Sequence, residues 1–332
     1  MVSIIIPVYQ VSDYIERCIC SVMSQSYDNI ECVIVDDATV DDSIVKCERL
    51  IGVYNENFNA KLDGKGRIRF KILHHEVNRG LSAARNTGIG AANGEYVYFL
   101  DGDDEITEDC ITKLMAISQG NTEAEIVQGN SVMIPNDKRV KIHLDKRVPL
   151  SITSNEDIST CYHKHWIPTT AWNKLIKRSF LVEHSLMFKE GLLYEDMLWM
   201  FYVVKSLKSI CFCRDVTYHY YVRPDSIVNS ADSLTTGNSF YDIYSEVLNA
   251  LTPKREQCEL DGYVEGFCKR YMTFRKSIPK FEDLYRLYRN STKKYGCHFS
   301  CLKLRIAKMM TEMPLGYGFI QMLKDFKTNI NG

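Results

Sequence analysis

The sequence has no run of 18 consecutive apolar residues, so it predicts no helix that spans a membrane. It has no excess of either charge, because 41 Lys and Arg residues stand against 42 Asp and Glu residues. A balanced charge gives no indication of nucleic-acid binding. Internal repeats and low-complexity segments are absent as well. These absences leave a globular chain of 332 residues, long enough for roughly two domains.

The cysteines lack the spacing of a metal site. Twelve are present, but no two form a C-x-x-C pair, so buried thiols are a better interpretation than zinc ligands. The first residues also lack the basic segment of a secretory signal peptide. Because disulfides persist mainly in oxidising compartments, we expect reduced thiols and a cytoplasmic protein.

Strands and helices alternate over the first part of the chain. The five predicted strands are Val2–Ile6, Ile30–Val35, Arg67–Leu73, Tyr96–Leu100 and Glu125–Met133. Pro7 is expected to end the first strand, and Asp13 to cap the helix that follows. The alternation predicts an α/β fold with a doubly wound, mostly parallel central sheet flanked by helices.

Polar and aromatic residues gather where these strands end. They are Tyr9 after the first strand, Asp36 and Asp37 after the second, and Asp101 and Asp103 after the fourth. In parallel sheets, ligands bind beyond the carboxyl ends of the strands. We therefore expect these residues to share one binding site at one edge of the sheet.

The acidic turn after the fourth strand is the candidate metal site. Its residues are Asp101, Gly102, Asp103 and Asp104, and the glycine allows the backbone to turn sharply. Carboxylates this close repel one another, so one takes up a proton unless a cation lies among them. Oxygen ligands at a strand end suit Mg²⁺ or Mn²⁺ holding a phosphate-bearing substrate. A solvated acidic turn is the alternative, because a D-x-D motif alone often occurs by chance.

The pattern of strands is weaker beyond Met133. Lys138–Val148 is basic and alternating, which suggests an edge hairpin. Ser209–Cys213 and Thr217–Val222 are interpreted as two further strands. The sheet is therefore expected to continue past the parallel part, with less regular connections.

Two pairs of residues in this second part are candidates for the lining of a binding cleft. Trp172 and Lys174 belong to one segment that could border such a cleft. Glu195 and Asp196 stand at the start of a predicted helix. The structural alternative for this acidic pair is favourable interaction with the helix dipole.

The last hundred residues differ in composition from the rest. We place a domain boundary after residue 232, with a catalytic domain at 1–232 and a helical, basic extension at 233–332. Gly266–Met310 holds twelve Lys or Arg and two acidic residues, a net charge of +10, with tyrosines and phenylalanines interleaved. Such a segment suits an anionic membrane surface. A solvated helical appendage that packs its aromatic residues is the alternative.

Five segments of the chain occur in a specific order: V-S-I-I-I-P-V-Y, I-V-D-D-A-T, N-R-G-L-S-A-A-R-N-T-G, Y-F-L-D-G-D-D and Y-E-D. Together they resemble the family 2 glycosyltransferases, over roughly residues 1–230. The resemblance implies the GT-A fold, a Rossmann-like form of the predicted sheet, here with a helical C-terminal extension. It also implies nucleotide-sugar donors, inversion at the transferred sugar, and a role in bacterial capsule, exopolysaccharide or O-antigen synthesis.

The resemblance assigns the donor site residue by residue. The wall beside the nucleotide base would be formed by Pro7, Val8 and Tyr9. Asp37 would accept a hydrogen bond from a uracil-type N–H, and Asp36 is the less favoured partner. Arg85 would lie near the base or the diphosphate. UDP is therefore the expected nucleotide.

The resemblance also assigns the metal and the reacting groups. Asp101 would contact the ribose, with Gly102 in the same turn, and Asp103 would hold Mn²⁺ or Mg²⁺ with help from Asp101. Asp196 would be the catalytic base. Glu195 and Trp172 would shape the pocket for a saccharide or lipid-linked saccharide acceptor, which would favour peripheral attachment to the cytoplasmic face of the membrane. An oligomer is compatible with the sequence.

Two other functions remain open at this point. A nucleotidyltransferase would also combine an α/β sheet with acidic metal ligands, but residues 7–14 contain no glycine-rich phosphate loop. A non-catalytic nucleotide-sugar or polysaccharide-binding module would have no need for Asp196 as a base. Two departures from the family pattern, Gln10 after P-V-Y in place of Asn and D-G-D-D in place of D-S-D-D, touch no essential functional group.

Overall fold

The structure is a computed structural model that describes residues 1–59, 68–135, 143–223, 232–250, 270–271, 273–274 and 277–294. It divides into two compact units, Met1–Ser239 and Phe240–Gly332, and we describe each by itself. The domain boundary expected after residue 232 remains a prediction.

The first unit is built on one sheet, which has nine strands among the described residues. They are β1 (Val2–Val8), β2 (Ile30–Asp36), β3 (Arg69–His74), β4 (Tyr96–Phe99), β5 (Glu105–Ile106), β6 (Ile126–Ile134), β7 (Ser151–Ile152), β8 (Lys174–Lys177) and β9 (Ile210–Tyr221). The five strands predicted from apolar runs are confirmed to within two residues at either end. Arg67, the predicted start of the third, lies outside the described residues.

The order of the strands shows a parallel half and a mixed half. The order is β3-β2-β1-β4-β8-β6-β9-β5, with β7 also paired to β9. The first four are mutually parallel, as in a Rossmann-like doubly wound sheet. β8 is antiparallel to both of its neighbours, β4 and β6. The α/β class is confirmed. The sequence pattern predicted β6 as the fifth strand of a mostly parallel sheet, but the antiparallel strand β8 lies between β4 and β6.

Helices cover the two faces of this sheet. Among the described residues, seven lie wholly in the first unit: α1 (Ile15–Met23), α2 (Ser43–Asn59), α3 (Leu81–Ala91), α4 (Cys110–Gly120), α5 (Asn155–His163), α6 (Arg178–Glu183) and α7 (Glu195–Ser206). The apolar face of α1, including Ile15, Cys18 and Val22, is buried as its spacing predicts. The expected cap by Asp13 is wrong, because Tyr14 precedes the helix and no side chain caps it.

Two strand predictions are corrected by the structure. β1 runs through Pro7 to Val8, since its pairing with β4 stops at Ile5 and a missing N–H is tolerated on a strand paired on one side. β9 is one strand where two were expected. Its exposed middle residues 214–216 lie where the register with β6 shifts. The polar residues that suggested a break between two strands therefore form a β-bulge within one strand.

Close packing of α3 on β1 determines where the side chain of Arg85 lies. A Cβ added to Gly88 would lie 2.3 Å from Cγ2 of Ile5, so only glycine allows this approach. Ala83 and Ala84 are also fully buried on this helix. The small residues of α3 therefore bring its backbone close to the sheet and direct Arg85 toward the end of β4.

The second unit is described only in part. Its described residues include most of α8 (Ser233–Asn249) and α9 (Phe281–Lys294), and its buried aromatic side chains include Phe274 and Phe281 with ring centroids 5.9 Å apart. Across the described residues, no helix is both long and apolar enough to cross a membrane. Much of the basic stretch Gly266–Met310 lies outside the described residues, so its membrane role stays a prediction.

Candidate active site

The acidic turn, residues 101–104, joins β4 to β5, and its last residue, Asp104, has a structural role. The carboxylate of Asp104 is buried and accepts hydrogen bonds from the Tyr218 hydroxyl at 2.7 Å and the Tyr221 N–H at 2.8 Å. A Cβ on Gly102 would lie 3.1 Å from the carbonyl oxygen of Pro7, so glycine also suits the close approach to β1. The turn is thus fixed between β1 and β9.

Asp103 lies at the accessible side of this turn. Its side chain is 20% exposed, and Oδ2 lies 2.6 Å from Nε of Arg223. Burial raises the pKa of Asp103, and repulsion from Asp101 adds to this, while Arg223 opposes it. The negative charge on this carboxylate is therefore only partly compensated by the protein.

The residues of this turn fit a divalent cation that a substrate helps to bind. Within the part of the chain that the structure describes, no three His, Cys, Asp or Glu side chains form a metal site. Mg²⁺, however, is commonly held by one or two carboxylates together with substrate phosphates. Asp101 and Asp103 supply two carboxylates, and a cation would relieve the repulsion that raises the pKa of Asp103.

Arg85 connects the acidic turn to the acidic pair at the start of α7. Its Nη2 donates to Oδ1 of Asp101 at 2.9 Å. Its Nη1 donates to Oε1 of Glu195 at 2.7 Å and to Oδ1 of Asp196 at 2.9 Å. The guanidinium side chain is only 1% exposed. One buried cation therefore joins the acidic turn after β4 to the Glu195–Asp196 pair at the start of α7, which is far from that turn in the sequence.

The two carboxylates at the start of α7 differ in their surroundings. Asp196 also accepts a hydrogen bond at Oδ2 from the Ala171 N–H at 2.9 Å. Burial raises the pKa of Asp196, and Arg85 opposes the rise. Burial and the neighbouring Asp196 raise the pKa of Glu195 to about 7. Asp196 is the better fixed of the two, because both of its oxygens accept hydrogen bonds.

Aromatic rings stack beside these carboxylates. The ring of Trp172 is stacked on Tyr218 with centroids 4.3 Å apart and on Tyr220 with centroids 5.7 Å apart. Trp172 lines the cleft but is 4% exposed, so only a small part of its side chain is accessible to a ligand. Tyr220 is half-buried and lines the same cleft.

Lys174 does not border the cleft as its position in the sequence suggested. Its side chain is fully buried, and the amine donates to the carbonyl oxygens of Pro168, at 3.4 Å, and Thr170. Burial lowers the pKa of Lys174 to about 7, and Asp196 opposes this. The amine therefore contacts the loop at 168–170, of which Thr169 and Thr170 line the cleft.

The aspartates after β2 bind protein groups. Asp37 accepts from the backbone N–H of Arg79 at 2.9 Å and of Gly80 at 2.7 Å, and its Oδ1 lies 2.7 Å from Nδ1 of His75. Asp36 is bonded in the same way to His74, with Oδ2 and Nδ1 2.9 Å apart. Asp37 thereby fixes the loop at Gly80, whose φ of 87° suits glycine.

A cleft of about 640 Å³ brings part of the predicted site together. Five of the predicted residues line it: Arg85, Asp101, Trp172, Glu195 and Asp196. The other predicted residues lie outside its lining: Pro7, Val8, Tyr9, Asp36, Asp37, Gly102 and Asp103. Of these, Pro7 and Val8 are buried in β1, while Tyr9 is 40% exposed just beyond it.

Comparison with known proteins identifies the family. Residues 3–185 match the family model described as glycosyl transferase family 2, which is more than half of the chain. The chain belongs to this family. The putative glycosyltransferase EpsH of Bacillus subtilis is 31% identical to this family 2 member over 283 residues, which cover 79% of this chain and 74% of EpsH.

Solved structures similar to this family 2 glycosyltransferase have the GT-A fold. S. aureus TarS 1–349 in complex with UDP-GlcNAc is 19% identical, with a TM-score of 0.63 over 89% of this chain and 80% of that one. The mannosyltransferase PcManGT from Pyrobaculum calidifontis, in complex with GDP-Man and Mn²⁺, is 14% identical, with a TM-score of 0.55 over 94% and 88%. Likeness at this identity shows the fold, and the predicted GT-A fold is confirmed.

Sequence reasoning missed several contacts of this family 2 site. Arg85 was among the predicted residues, but its pairing with carboxylates on both sides of the cleft was not predicted. Its expected place near the nucleotide stays a prediction. His75 was not among the predicted site residues, and its ring is buried against Asp37. The Ala171 N–H left no signal, because a backbone donor has no sequence signature.

Proposed function

We propose that this family 2 glycosyltransferase transfers a sugar from a nucleoside-diphosphate sugar to a hydroxyl of a saccharide acceptor, with inversion and with a divalent cation. The observation that carries the proposal is the Arg85 cluster. It holds Asp101, from the turn that suits a metal and diphosphate, and Asp196, a candidate base, in one cleft. A donor-side group and a proton acceptor are both needed for transfer.

Asp196 is the proposed base. An acceptor hydroxyl has a pKa far above neutrality, so it needs a proton acceptor as it attacks the sugar. Oδ1 and Oδ2 of Asp196 each accept one hydrogen bond from the protein, which fixes the carboxylate and leaves lone pairs for the acceptor proton. A single base with no covalent intermediate gives inversion in one displacement.

Asp103 and Asp101 are the proposed metal ligands. Mn²⁺ or Mg²⁺ bound there would stabilise the negative charge that develops on the leaving diphosphate. The Mn²⁺ complex of the GT-A mannosyltransferase supports this choice of ion. Nε of Arg223 lies 2.6 Å from Oδ2 of Asp103 and holds that carboxylate in place.

The nucleotide is proposed to be UDP, bound beside the ends of β1 and β2. Tyr9 offers an exposed ring next to Pro7 and Val8, and rings of this kind stack on bases. Asp37 has hydrogen-bonding capacity left at Oδ2, where a single backbone N–H is bound. The TarS complex with UDP-GlcNAc supports a uridine nucleotide on this fold.

The acceptor side rests on Glu195, Trp172 and Tyr220 in the cleft. We propose a saccharide or lipid-linked saccharide acceptor and a role in surface polysaccharide synthesis. All eight cysteines among the described residues are free, which supports a cytoplasmic enzyme. Peripheral attachment to the membrane through the basic segment, and an oligomeric state, remain proposals.

The test begins with a screen of nucleotide sugars, with and without Mn²⁺, using release of free nucleoside diphosphate as the readout. Asp196→Asn should then keep donor binding and lose about 10²–10⁴-fold in turnover, since the amide cannot take a proton. Asp157→Asn is the matched control, because Asp157 is an exposed aspartate in the first turn of another helix, α5. Turnover near that of the unchanged protein in Asp196→Asn would point to another base, and pyrophosphate exchange would indicate nucleotidyl transfer.

A further inference from the structure

Lys174 is a fully buried cation with unusual partners. Buried lysines are rare unless a carboxylate pairs with them, because an uncompensated charge is costly to bury. The hydrogen bonds of this amine go to two backbone carbonyls, those of Pro168 and Thr170. Both carbonyls belong to the loop that leads to β8. The amine therefore restrains a loop.

That loop carries a contact to the proposed base. The residue after Thr170 is Ala171, whose N–H donates to Oδ2 of Asp196 at 2.9 Å. Thr169, Thr170 and Trp172 line the cleft around it. The position of the Ala171 N–H, and with it the direction of the Asp196 carboxylate, depends on how the loop is held.

The chain between Ala171 and Lys174 is itself fixed. Asn173 has a φ of 60°, which is uncommon for a residue with a side chain. It is fully buried, and its Oδ1 accepts hydrogen bonds from the hydroxyls of Tyr98, at 3.1 Å, and Thr217, at 2.8 Å. Asn173, with its left-handed backbone, lies between Ala171 and Lys174, and the Lys174 amine reaches back to carbonyls that precede Ala171.

We propose that Lys174 is a positioning residue for catalysis, whose amine holds the 168–171 loop so that the Ala171 N–H orients the Asp196 carboxylate. This inference rests on the proposed role of Asp196 as the base. Lys174 acts through the loop and through its charge, and it does not contact the substrate.

The loop is held in both charge states of the amine. A protonated lysine has three N–H donors and a neutral amine has two, and two carbonyls accept here. The charge has a separate effect, because a nearby cation favours the ionised form of Asp196. The other charged groups around Asp196 are Arg85 on α3, Asp101 after β4 and Glu195 on α7. Lys174 is the member of this set that is on β8.

The sign of the charge effect follows from the pKa values. Burial lowers the pKa of Lys174 to about 7, so the amine is charged on the acidic side of neutrality. Activity falls at low pH when the base takes up a proton, and the Lys174 charge opposes that protonation. Removal of the charge should raise the pKa of Asp196 and move the acidic limb of the rate profile to higher pH.

The experiment compares Lys174→Met with Lys177→Met in the full chain. Lys177 is three residues along the same strand, and its amine donates to the Thr122 carbonyl, and neither residue lines the cleft. Lys174→Met should bind UDP with unchanged affinity and lose on the order of 10- to 100-fold in kcat, the usual result of misplacing a catalytic group. Its acidic limb should move to higher pH, and Lys177→Met should change neither.

Two outcomes would overturn the inference. One is a Lys174→Met enzyme with normal kcat and an unmoved acidic limb, measured where Asp196→Asn is inactive. The other is a loss confined to the KM of the donor. If Asp196→Asn keeps its turnover, the proposed base is wrong, which is a separate result.

Should the Met variant fail to fold, Lys174→Gln decides the question, because its amide keeps two N–H donors without charge. The acidic limb must then move while kcat at its plateau is largely kept, and an unmoved limb would refute the role.

Discussion

Arg85→Met tests whether one guanidinium stabilises the whole acidic cluster. Methionine keeps an apolar stem of similar length and removes the charge and all donors. The side chains of Asp101, Glu195 and Asp196 are 22%, 10% and 21% exposed, so all three would be left largely buried without a cation. Removing one partner of a buried ion pair costs about 3–5 kcal/mol. Because water reaches Asp101 and Asp196 in part, we expect the lower end, about 3 kcal/mol.

That loss should be visible as a change in melting temperature. For a unit of this size, 1 kcal/mol corresponds to about 2–4 °C, so the variant should melt about 6–12 °C lower than the unchanged protein at neutral pH. Arg79→Met is the matched control. Arg79 pairs with Glu190 on the surface with its side chain 47% exposed, and an exposed pair contributes about 0–1 kcal/mol.

The pH dependence of this loss identifies its cause. Burial raises the pKa values of Glu195 and Asp196, and without Arg85 to oppose it these values should lie further above those of the unfolded chain. A carboxylate with a raised pKa in the folded state favours folding at low pH and loses that contribution as pH rises through its folded pKa. The difference in melting temperature should therefore be smaller near pH 5 than near pH 8. A difference that is constant with pH, or larger at pH 5, would refute the electrostatic account.

Two further predictions concern the metal and the basic segment. Asp103→Ala should melt normally but lose the Mn²⁺ dependence of UDP binding in calorimetry, because one carboxylate ligand is deleted without a core cavity; unchanged dependence would contradict the assignment. The full chain should float with anionic liposomes at low salt, because each basic residue close to the membrane surface contributes about 1 kcal/mol to the binding free energy. High salt should release the chain, because it screens this attraction. Flotation with neutral liposomes, or binding that salt does not weaken, would exclude an electrostatic membrane contact.

The parallel half of the sheet could be predicted because its strands are buried on both faces. Val2–Val8 and Ile30–Asp36 are buried at every position, so they appear in the sequence as apolar runs. β8 could not be predicted in this way. It is four residues long with a lysine at each end, and its place between β4 and β6 is set by tertiary pairing. The polar residues Arg214 and Asp215 likewise obscured the single strand β9.

Asp101 and Asp103 could be selected from the sequence without knowledge of their partners, whereas Asp196 was given its role by the family resemblance. A carboxylate after a buried strand is conspicuous, and the rule for parallel sheets says where it lies. The partner of Asp101 and Asp196 was not found, because Arg85 is 16 residues from one and 111 from the other. No local pattern records a contact over such distances. The burial of Lys174 was missed for a different reason, because lysines are usually exposed in folded proteins.

The shared guanidinium changes how variants of this site are to be interpreted. Asp101 and Asp196 each bond to Arg85, so a substitution at either one alters the charge that Arg85 must balance at the other. Residues in one ion-pair network have non-additive effects, often by 0.5–3 kcal/mol. A fall in activity on changing Asp101 is therefore no proof of contact with the donor, because the same fall follows if Asp196 is misplaced. Binding of UDP separates the two, since loss of a donor contact weakens it and a misplaced base leaves it unchanged.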